Sequence, residues 1–137
     1  MILPDSSLWI EYLRAGSSTP SSSGDATATQ ELDTLIEREQ VFTCGPVVAE
    51  LLAGARGEQR EELAKQLSGQ PWVDLERADW LAVGRAAAAL RERGQTTPLV
   101  DVQIAVCAVK ANAELWTFDR DFERVGEVLE DLRLRML

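Results

Sequence analysis

Histidine is absent from the sequence of 137 residues, and lysine occurs only as Lys65 and Lys110. Without histidine the chain can form neither a Ser-His-Asp triad nor an H-E-x-x-H zinc site, and it has no imidazole general base. Neither lysine follows a glycine-rich loop, which excludes a P-loop. Any catalytic chemistry must therefore come from carboxylates, hydroxyls, cysteine, tyrosine or arginine.

Cysteine is also scarce, and no apolar run approaches the roughly 20 residues that a membrane span needs. Cys44 and Cys107 lie among apolar neighbours and form no C-x-x-C pair, so we expect two buried, reduced thiols rather than a disulfide. Residues 1–15 lack a basic n-region and a cleavage site. We therefore expect a cytoplasmic protein with no membrane partner.

The balance of charge is strongly acidic. A formal net charge of −9 argues against a protein that binds nucleic acid through a broad basic surface. It does not argue against an enzyme that holds phosphates through divalent cations. It also suits a partner that offers a basic segment.

Short apolar segments alternate with helical patterns along the chain. They predict strands at five places: residues 1–5, 41–43, 72–75, 114–118 and 132–137. This alternation is typical of an α/β fold with helices on both faces of a mainly parallel sheet of four to five strands. The site of such folds lies beyond the carboxyl ends of the strands. We expect a single domain over 1–137, in which the Ser/Thr-rich residues 17–29 form a flexible loop.

Two acidic residues stand alone inside apolar helical segments. Glu50 is the only charged residue between Val41 and Ala55, and Asp101 is the only one between Pro98 and Val109. Isolated charges in apolar surroundings are costly to desolvate, so they are usually paired or bound to a metal. A salt bridge to a buried arginine, or a place at the rim of the helix, is the structural alternative for each.

Two further carboxylates, Asp5 and Asp119, directly follow predicted strands, where capping of a helix is the alternative role. If the fold brings all four together, each pair of charges at about 4 Å repels by roughly 4 kcal/mol at an effective dielectric near 20. Such a cluster needs a counter-ion, and oxygen-only ligands select Mg²⁺ or Mn²⁺. The four acids therefore indicate metal-assisted hydrolysis of a phosphodiester.

Three segments carry a resemblance to a known family: "MILPDSSLWIEYL", "VVAELLAG" and "TTPLVDVQIAVCAVKANAELWTFDRDFERV". Together they resemble the motifs of PIN-domain ribonucleases, specifically VapC-type toxins of bacterial toxin–antitoxin pairs. The resemblance covers nearly the whole chain and implies a three-layer α/β/α fold. It also implies an endoribonuclease dependent on Mg²⁺ or Mn²⁺, a homodimer, and a hetero-oligomer with an inhibitory VapB-like antitoxin.

The resemblance assigns roles residue by residue. It implies that Asp5, Glu50, Asp101 and Asp119 are the catalytic, metal-holding acids, and that Asp121 occupies a fifth, more variable acidic position. It also implies that the hydroxyls of Ser6 and Thr117 hydrogen-bond the metal ligands. We further predict that Asp121 caps the short helix "FERV", and that losing Asp119 costs more activity than losing Asp121.

Contacts with the partners are also predicted. Four arginines are candidates for phosphate contacts with RNA: Arg85, Arg91, Arg93 and Arg120. An antitoxin with a basic or arginine-bearing segment could neutralise the acidic cluster. Its helix could pack on an apolar surface near five residues, although core burial is the favoured interpretation of each residue singly: Leu8, Trp9, Tyr12, Leu51 and Leu52.

The chain departs from the family pattern in two places. Pro4 replaces the usual aliphatic residue, and we expect it to perturb the last pairing of the first strand without displacing Asp5. The Ser-rich residues 17–29 lengthen the loop after the first helix.

Two other functions compete with the nuclease interpretation. A phospho-accepting receiver or an aspartate phosphatase needs an acidic pair beside the first strand or a lysine after a late strand, and "LPDSSLW" and "WTFDRDF" supply neither. The second alternative is a catalytically silent PIN-like module that only binds a partner.

Overall fold

A computed structural model describes residues 1–15 and 23–137. Within these residues it contains five strands and seven helices. In chain order they are β1 (Ile2–Pro4), α1 (Ser6–Ala15), α2 (Ser23–Glu37), β2 (Thr43–Cys44), α3 (Gly45–Gly54), α4 (Glu58–Ser68), β3 (Trp72–Val73), α5 (Arg77–Glu92), α6 (Leu99–Lys110), β4 (Glu114–Thr117), α7 (Asp121–Val128) and β5 (Arg133–Met136).

All strand pairs of the described sheet are parallel. Three strands pair in the order β1-β4-β5, β2 pairs with β3, and a single parallel bridge between Ile2 and Val41 joins the two groups. The predicted α/β class with a parallel sheet is thereby confirmed. Because the strands run in one direction, their carboxyl ends meet at one edge of the sheet. Asp5 directly follows β1 at this edge, and Asp119 is the second residue after β4.

Pro4 affects one side of β1 and not the other. It pairs in register with Trp116, and the N–H of Asp5 donates to the Trp116 carbonyl at 3.0 Å, so the predicted perturbation is wrong on the β4 side. On the opposite side, pairing stops after the bridge between Ile2 and Val41. The next bond of that ladder would require an N–H on Pro4, which proline lacks.

The flexible loop predicted over 17–29 is wrong for its second half. Residues 23–29 belong to α2, which begins at Ser23, whereas 17–22 lie outside the described residues. Ala28 and Leu32, one helical turn apart, are both buried in the core. The polar composition concealed this periodicity, because Ala28 is the one apolar residue of the turn before Leu32, and its buried neighbour Thr29 is polar.

Helices α3 and α6 carry the two isolated acids, and both helices begin with a proline-linked turn. Pro46 lies in the first turn of α3, where its missing N–H is harmless, and Pro98 precedes the first residue of α6. The remainder of α6 is buried almost throughout, from Val102 to Ala108. The core thus anchors α6 and leaves its first turn at the edge of the sheet.

The two cysteines are buried and free, as predicted. Cys44 is the last residue of β2 and the N-cap position of α3, and its thiol lies near that of Cys107 in α6. The two buried thiols thus belong to the core where α3 packs against α6. Among the described helices, none is both long and apolar enough to cross a membrane.

Candidate active site

Three carboxylates converge at the carboxyl edge of the sheet. Asp101 lies in the first turn of α6, Asp119 lies in the turn after β4, and Asp121 begins α7. One carboxylate oxygen from each lies within 4.8 Å of the others. The structure therefore brings together two of the four predicted metal ligands and the fifth, more variable acid.

Asp101 lies at the electrostatic centre of the site. Burial, and after it the charges of its acidic neighbours in the order Asp119, Glu50, Asp121 and Asp5, together raise the pKa of its carboxyl to about 7. The other four predicted acids are thus all close enough to affect the carboxyl of Asp101. No ion pair to a cation is found for Asp101 within the described residues, so the buried salt bridge considered from the sequence is not observed.

Glu50 approaches the group from α3 but is not one of the three converging acids. Glu50 is exposed, so it lies at the rim of α3, which was one of the alternatives considered for it, and not in apolar surroundings. Partial burial and the charge of Asp5 raise the pKa of its carboxyl, while the nearby Ser6 hydroxyl opposes the shift. The isolated charge is tolerated because α3 presents this position toward water and the other acids.

Asp5 is the most buried of the acids, with 4% of the residue exposed. Its Oδ1 accepts hydrogen bonds from the Ser7 hydroxyl at 2.6 Å and from the Leu8 N–H at 3.2 Å, and its Oδ2 accepts from the Thr117 hydroxyl at 2.7 Å. The bond to Leu8 caps α1, so the capping role considered for Asp5 is observed. A carboxylate has about four acceptor positions, so roughly one remains on Oδ2 for another ligand.

The hydroxyl that supports Asp5 from α1 belongs to Ser7, whereas the sequence indicated Ser6. The Ser6 hydroxyl is buried and lies near Glu50 without forming a hydrogen bond of ordinary geometry. Sequence reasoning missed Ser7 because two adjacent serines follow Asp5. Only the direction in which each points from the first turn of α1 separates their roles.

Thr117 is placed as predicted. Besides donating to Asp5, its hydroxyl accepts the N–H of Asp119 at 2.9 Å. The Oδ1 of Asp119 in turn accepts the N–H of Asp121 at 2.9 Å. Asp119 therefore closes the turn into α7, and the prediction that Asp121 caps this helix is wrong, because Asp121 is already its first residue.

The four predicted phosphate-binding arginines are all exposed. Arg93 forms an ion pair with Glu127 at 3.4 Å, whereas none is found within the described residues for the other three, Arg85, Arg91 and Arg120. Arg120 directly precedes α7 and lies between Asp119 and Asp121 in the chain. Its contact with RNA stays a prediction, as do those of Arg85, Arg91 and Arg93.

Core burial, the interpretation favoured for each residue singly, holds for three of the apolar residues considered for an antitoxin helix. Leu8 and Trp9 are fully buried, and only 5% of Leu51 is exposed. Leu8 and Trp9 occupy the core-facing side of α1. The large apolar side chains that α1 exposes are those of Ile10 and Leu13.

Known proteins resemble this chain over most of its length. The pattern of the PIN domain family matches residues 2–128. Ribonuclease VapC11 of Mycobacterium tuberculosis (strain H37Rv) is 29% identical over 133 residues, which is 93% of this chain and 93% of that protein. VapC ribonuclease Mb1587 of Mycobacterium bovis matches over the same length with the same identity.

Solved structures share the fold. VapBC2 from Rickettsia felis, bound to a DNA fragment from its promoter, superposes with a TM-score of 0.73 at 20% identity, covering 100% of this chain and 99% of the other. FitAcB from Neisseria gonorrhoeae gives 0.71 at 20% identity, with 98% and 96% covered. The resemblance to VapC-type proteins is confirmed, and the chain belongs to the PIN domain family.

Proposed function

We propose that the chain is an endoribonuclease toxin of a type II toxin–antitoxin pair, dependent on Mg²⁺ or Mn²⁺ and inhibited by a VapB-like antitoxin. The observation that carries the proposal is the convergence of the acids on Asp101. Uncompensated carboxylates at such separations repel one another, so a site of this kind is built for a cation. Two relatives named as VapC ribonucleases support RNA as the substrate.

The residues present fit a hard divalent ion. Every candidate ligand is a carboxylate or hydroxyl oxygen, which is the donor set of Mg²⁺ and Mn²⁺ rather than of zinc. We propose that Asp5, Glu50, Asp101 and Asp119 hold the ion, and the geometry adds Asp121 to them. When bound, the ion supplies a Lewis acid that activates water and stabilises charge on the phosphate.

The side chains of the protein have separable roles in this proposal. Asp101 must lose the proton that its raised pKa favours before it can act as a ligand. Asp5 is held in place by the hydroxyls of Ser7 at the start of α1 and Thr117 at the end of β4. Asp119 is held by the hydrogen bonds of its own turn. The exposed guanidinium of Arg120 is available to a phosphate of the RNA backbone.

A cleavage assay with the purified protein tests the proposed function. RNA should be cut in the presence of Mg²⁺ or Mn²⁺, and excess EDTA should abolish the cut because it removes the ion. Undiminished cleavage in EDTA contradicts the metal dependence. Absence of cleavage with either ion, combined with retained binding of the antitoxin, favours the catalytically silent PIN-like module instead.

A groove between α1, α3 and α4 is the proposed binding site of the antitoxin. Its volume is about 780 Å³, and its apolar lining includes Ile10, Leu13, Leu51 and Leu63. Three carboxylates line it against one arginine: Glu50, Glu58 and Glu62, with Arg14. Apolar residues with an acidic border are complementary to an amphipathic helix that carries basic residues. Because Glu50 also belongs to the acidic site, a helix bound here would touch the catalytic centre.

Replacing Leu13 by arginine is expected to weaken binding of the cognate antitoxin about 100-fold, since it places a cation where an apolar contact and a basic partner are expected. The matched control is Leu81→Arg on α5, because Leu81 is also exposed and lies outside the groove. Titration calorimetry of both variants provides the comparison. Equal affinities for the two variants would place the antitoxin elsewhere.

A further inference from the structure

The Ser7 hydroxyl joins two parts of the chain that are far apart in sequence. It donates to Oδ1 of Asp5 at 2.6 Å and accepts the N–H of Phe118 at 3.0 Å, across a separation of 111 residues. Phe118 is the first residue after β4 and directly precedes Asp119. Ser7 therefore connects the start of α1 to the turn that carries a proposed metal ligand.

The Thr117 hydroxyl forms the same kind of link. It donates to the other oxygen of Asp5 and accepts the N–H of Asp119. Each hydroxyl has a single proton, and an ionised carboxylate can only accept, so both protons are directed to Asp5. The Asp5 carboxylate is consequently tied, through two hydroxyls, to two consecutive N–H groups of the turn after β4.

Loss of the Ser7 hydroxyl would release one of these ties. The Phe118 N–H would lose its acceptor in a partly buried position, and such a group costs about 1–3 kcal/mol when it is left unsatisfied. The turn would relax to find water or another acceptor. Since Asp119 is the next residue, its carboxylate would move relative to Asp101 and Asp121, which belong to other elements.

We propose that Ser7 is a positioning residue, whose hydroxyl holds the turn after β4 so that Asp119 meets Asp101 and Asp121, and thereby sets the affinity of the site for a divalent cation. The inference rests on the proposed function, because the cation is part of it. It assigns to Ser7 the role that the sequence indicated for its neighbour. Ser6 does not reach this turn by any hydrogen bond found in the structure.

Binding of Mn²⁺, measured by titration calorimetry on the full chain, tests the proposal. Ser7→Ala should bind Mn²⁺ about 10-fold more weakly than the wild type, as is usual when a residue that orients metal ligands is lost. Ser7→Thr, which keeps the hydroxyl, should restore most of the affinity. The matched control is Ser68→Ala, because the Ser68 hydroxyl bonds only the carbonyl of Ala64 in its own helix.

A second measurement does not require the cation. In the metal-free protein, the amide resonances of Phe118 and Asp119 should shift in Ser7→Ala and not in Ser68→Ala. If Ser7→Ala does not fold, Ser7→Cys takes its place, since it keeps the shape with a weaker hydrogen-bonding group, and it should show a loss in the same direction.

Wild-type affinity for Mn²⁺ in a folded Ser7→Ala variant overturns the proposal, and so does absence of Mn²⁺ binding by the wild type. Failure of the proposed function is a different result. A wild-type protein that binds Mn²⁺ but cuts no RNA contradicts the nuclease, whereas a weaker Mn²⁺ affinity of Ser7→Ala then still supports the positioning role.

Discussion

Replacing Asp101 by asparagine is expected to lower RNA cleavage by about 1,000-fold or more while the protein stays folded. Asparagine keeps the shape of the side chain and removes its charge. Asp101 is the carboxyl that the other acids surround, so its loss reduces the attraction of the whole site for a cation.

The same substitution should stabilise the metal-free protein at alkaline pH. Because the pKa of Asp101 is raised to about 7, the folded protein holds a proton between about pH 4 and pH 7 that the unfolded chain has released. The free energy of unfolding therefore falls as the pH rises through this window. Above about pH 7 the titration of Asp101 no longer changes it. Asparagine does not titrate, so at pH 8 the variant should be more stable by about 1 kcal/mol after allowance for solvent screening, which is roughly 4 °C in Tm.

The matched control for this experiment is Asp131→Asn, since Asp131 is exposed and lies outside the acidic site. Cleavage is followed with Mn²⁺, and thermal unfolding is followed without metal at pH 5 and pH 8. The stability difference between Asp101→Asn and the wild type should be larger at pH 8 than at pH 5. Undiminished cleavage by Asp101→Asn would remove the central acid from the mechanism.

Replacing Asp119 by alanine should cost far more activity than replacing Asp121. We expect a loss of about 100-fold for Asp119→Ala and about 10-fold for Asp121→Ala. Both side chains belong to the converging group, but Asp119 has a second function, because its Oδ1 accepts the N–H that begins α7. Loss of Asp119 thus removes a carboxylate and also releases the helix that positions Asp121.

The variant Asp119→Asn separates these two effects. Its amide oxygen can still accept the Asp121 N–H, so α7 should keep its start while the charge is lost. Measurements of kcat/KM with the same RNA, and of Mn²⁺ affinity, rank the three variants. An Asp121→Ala variant as inactive as Asp119→Ala would mean that the two acids contribute equally.

The arrangement of the site was predictable as far as it depends on strand ends and isolated charges. Asp5 and Asp119 follow strands, and parallel strands deliver their carboxyl ends to one edge. Glu50 and Asp101 were conspicuous because each is the only charge in an apolar segment. These signals lie in short stretches of the sequence, so they can be recognised without knowing which side chains are in contact.

The features that the sequence left open or assigned differently have another physical origin. Whether Ser6 or Ser7 supports Asp5 depends on the direction of each side chain at the start of α1, and two adjacent serines carry no periodic signal. The capping role of Asp119 depends on the exact start of α7. The burial of Leu8 and Trp9 depends on which side of α1 faces the sheet.

By itself, the sequence determined the chemical class of the site. Without histidine and with carboxylates placed at strand ends and in apolar segments, the pattern favoured an oxygen-donor cation site over a Ser-His-Asp triad or a histidine-bound zinc site. Only the tertiary structure decided which acids meet, namely Asp101, Asp119 and Asp121, and which hydroxyls hold them. The reason is that residues up to 112 positions apart share one hydrogen-bond network, and its distances arise from the packing of α1 and α6 against the sheet edge.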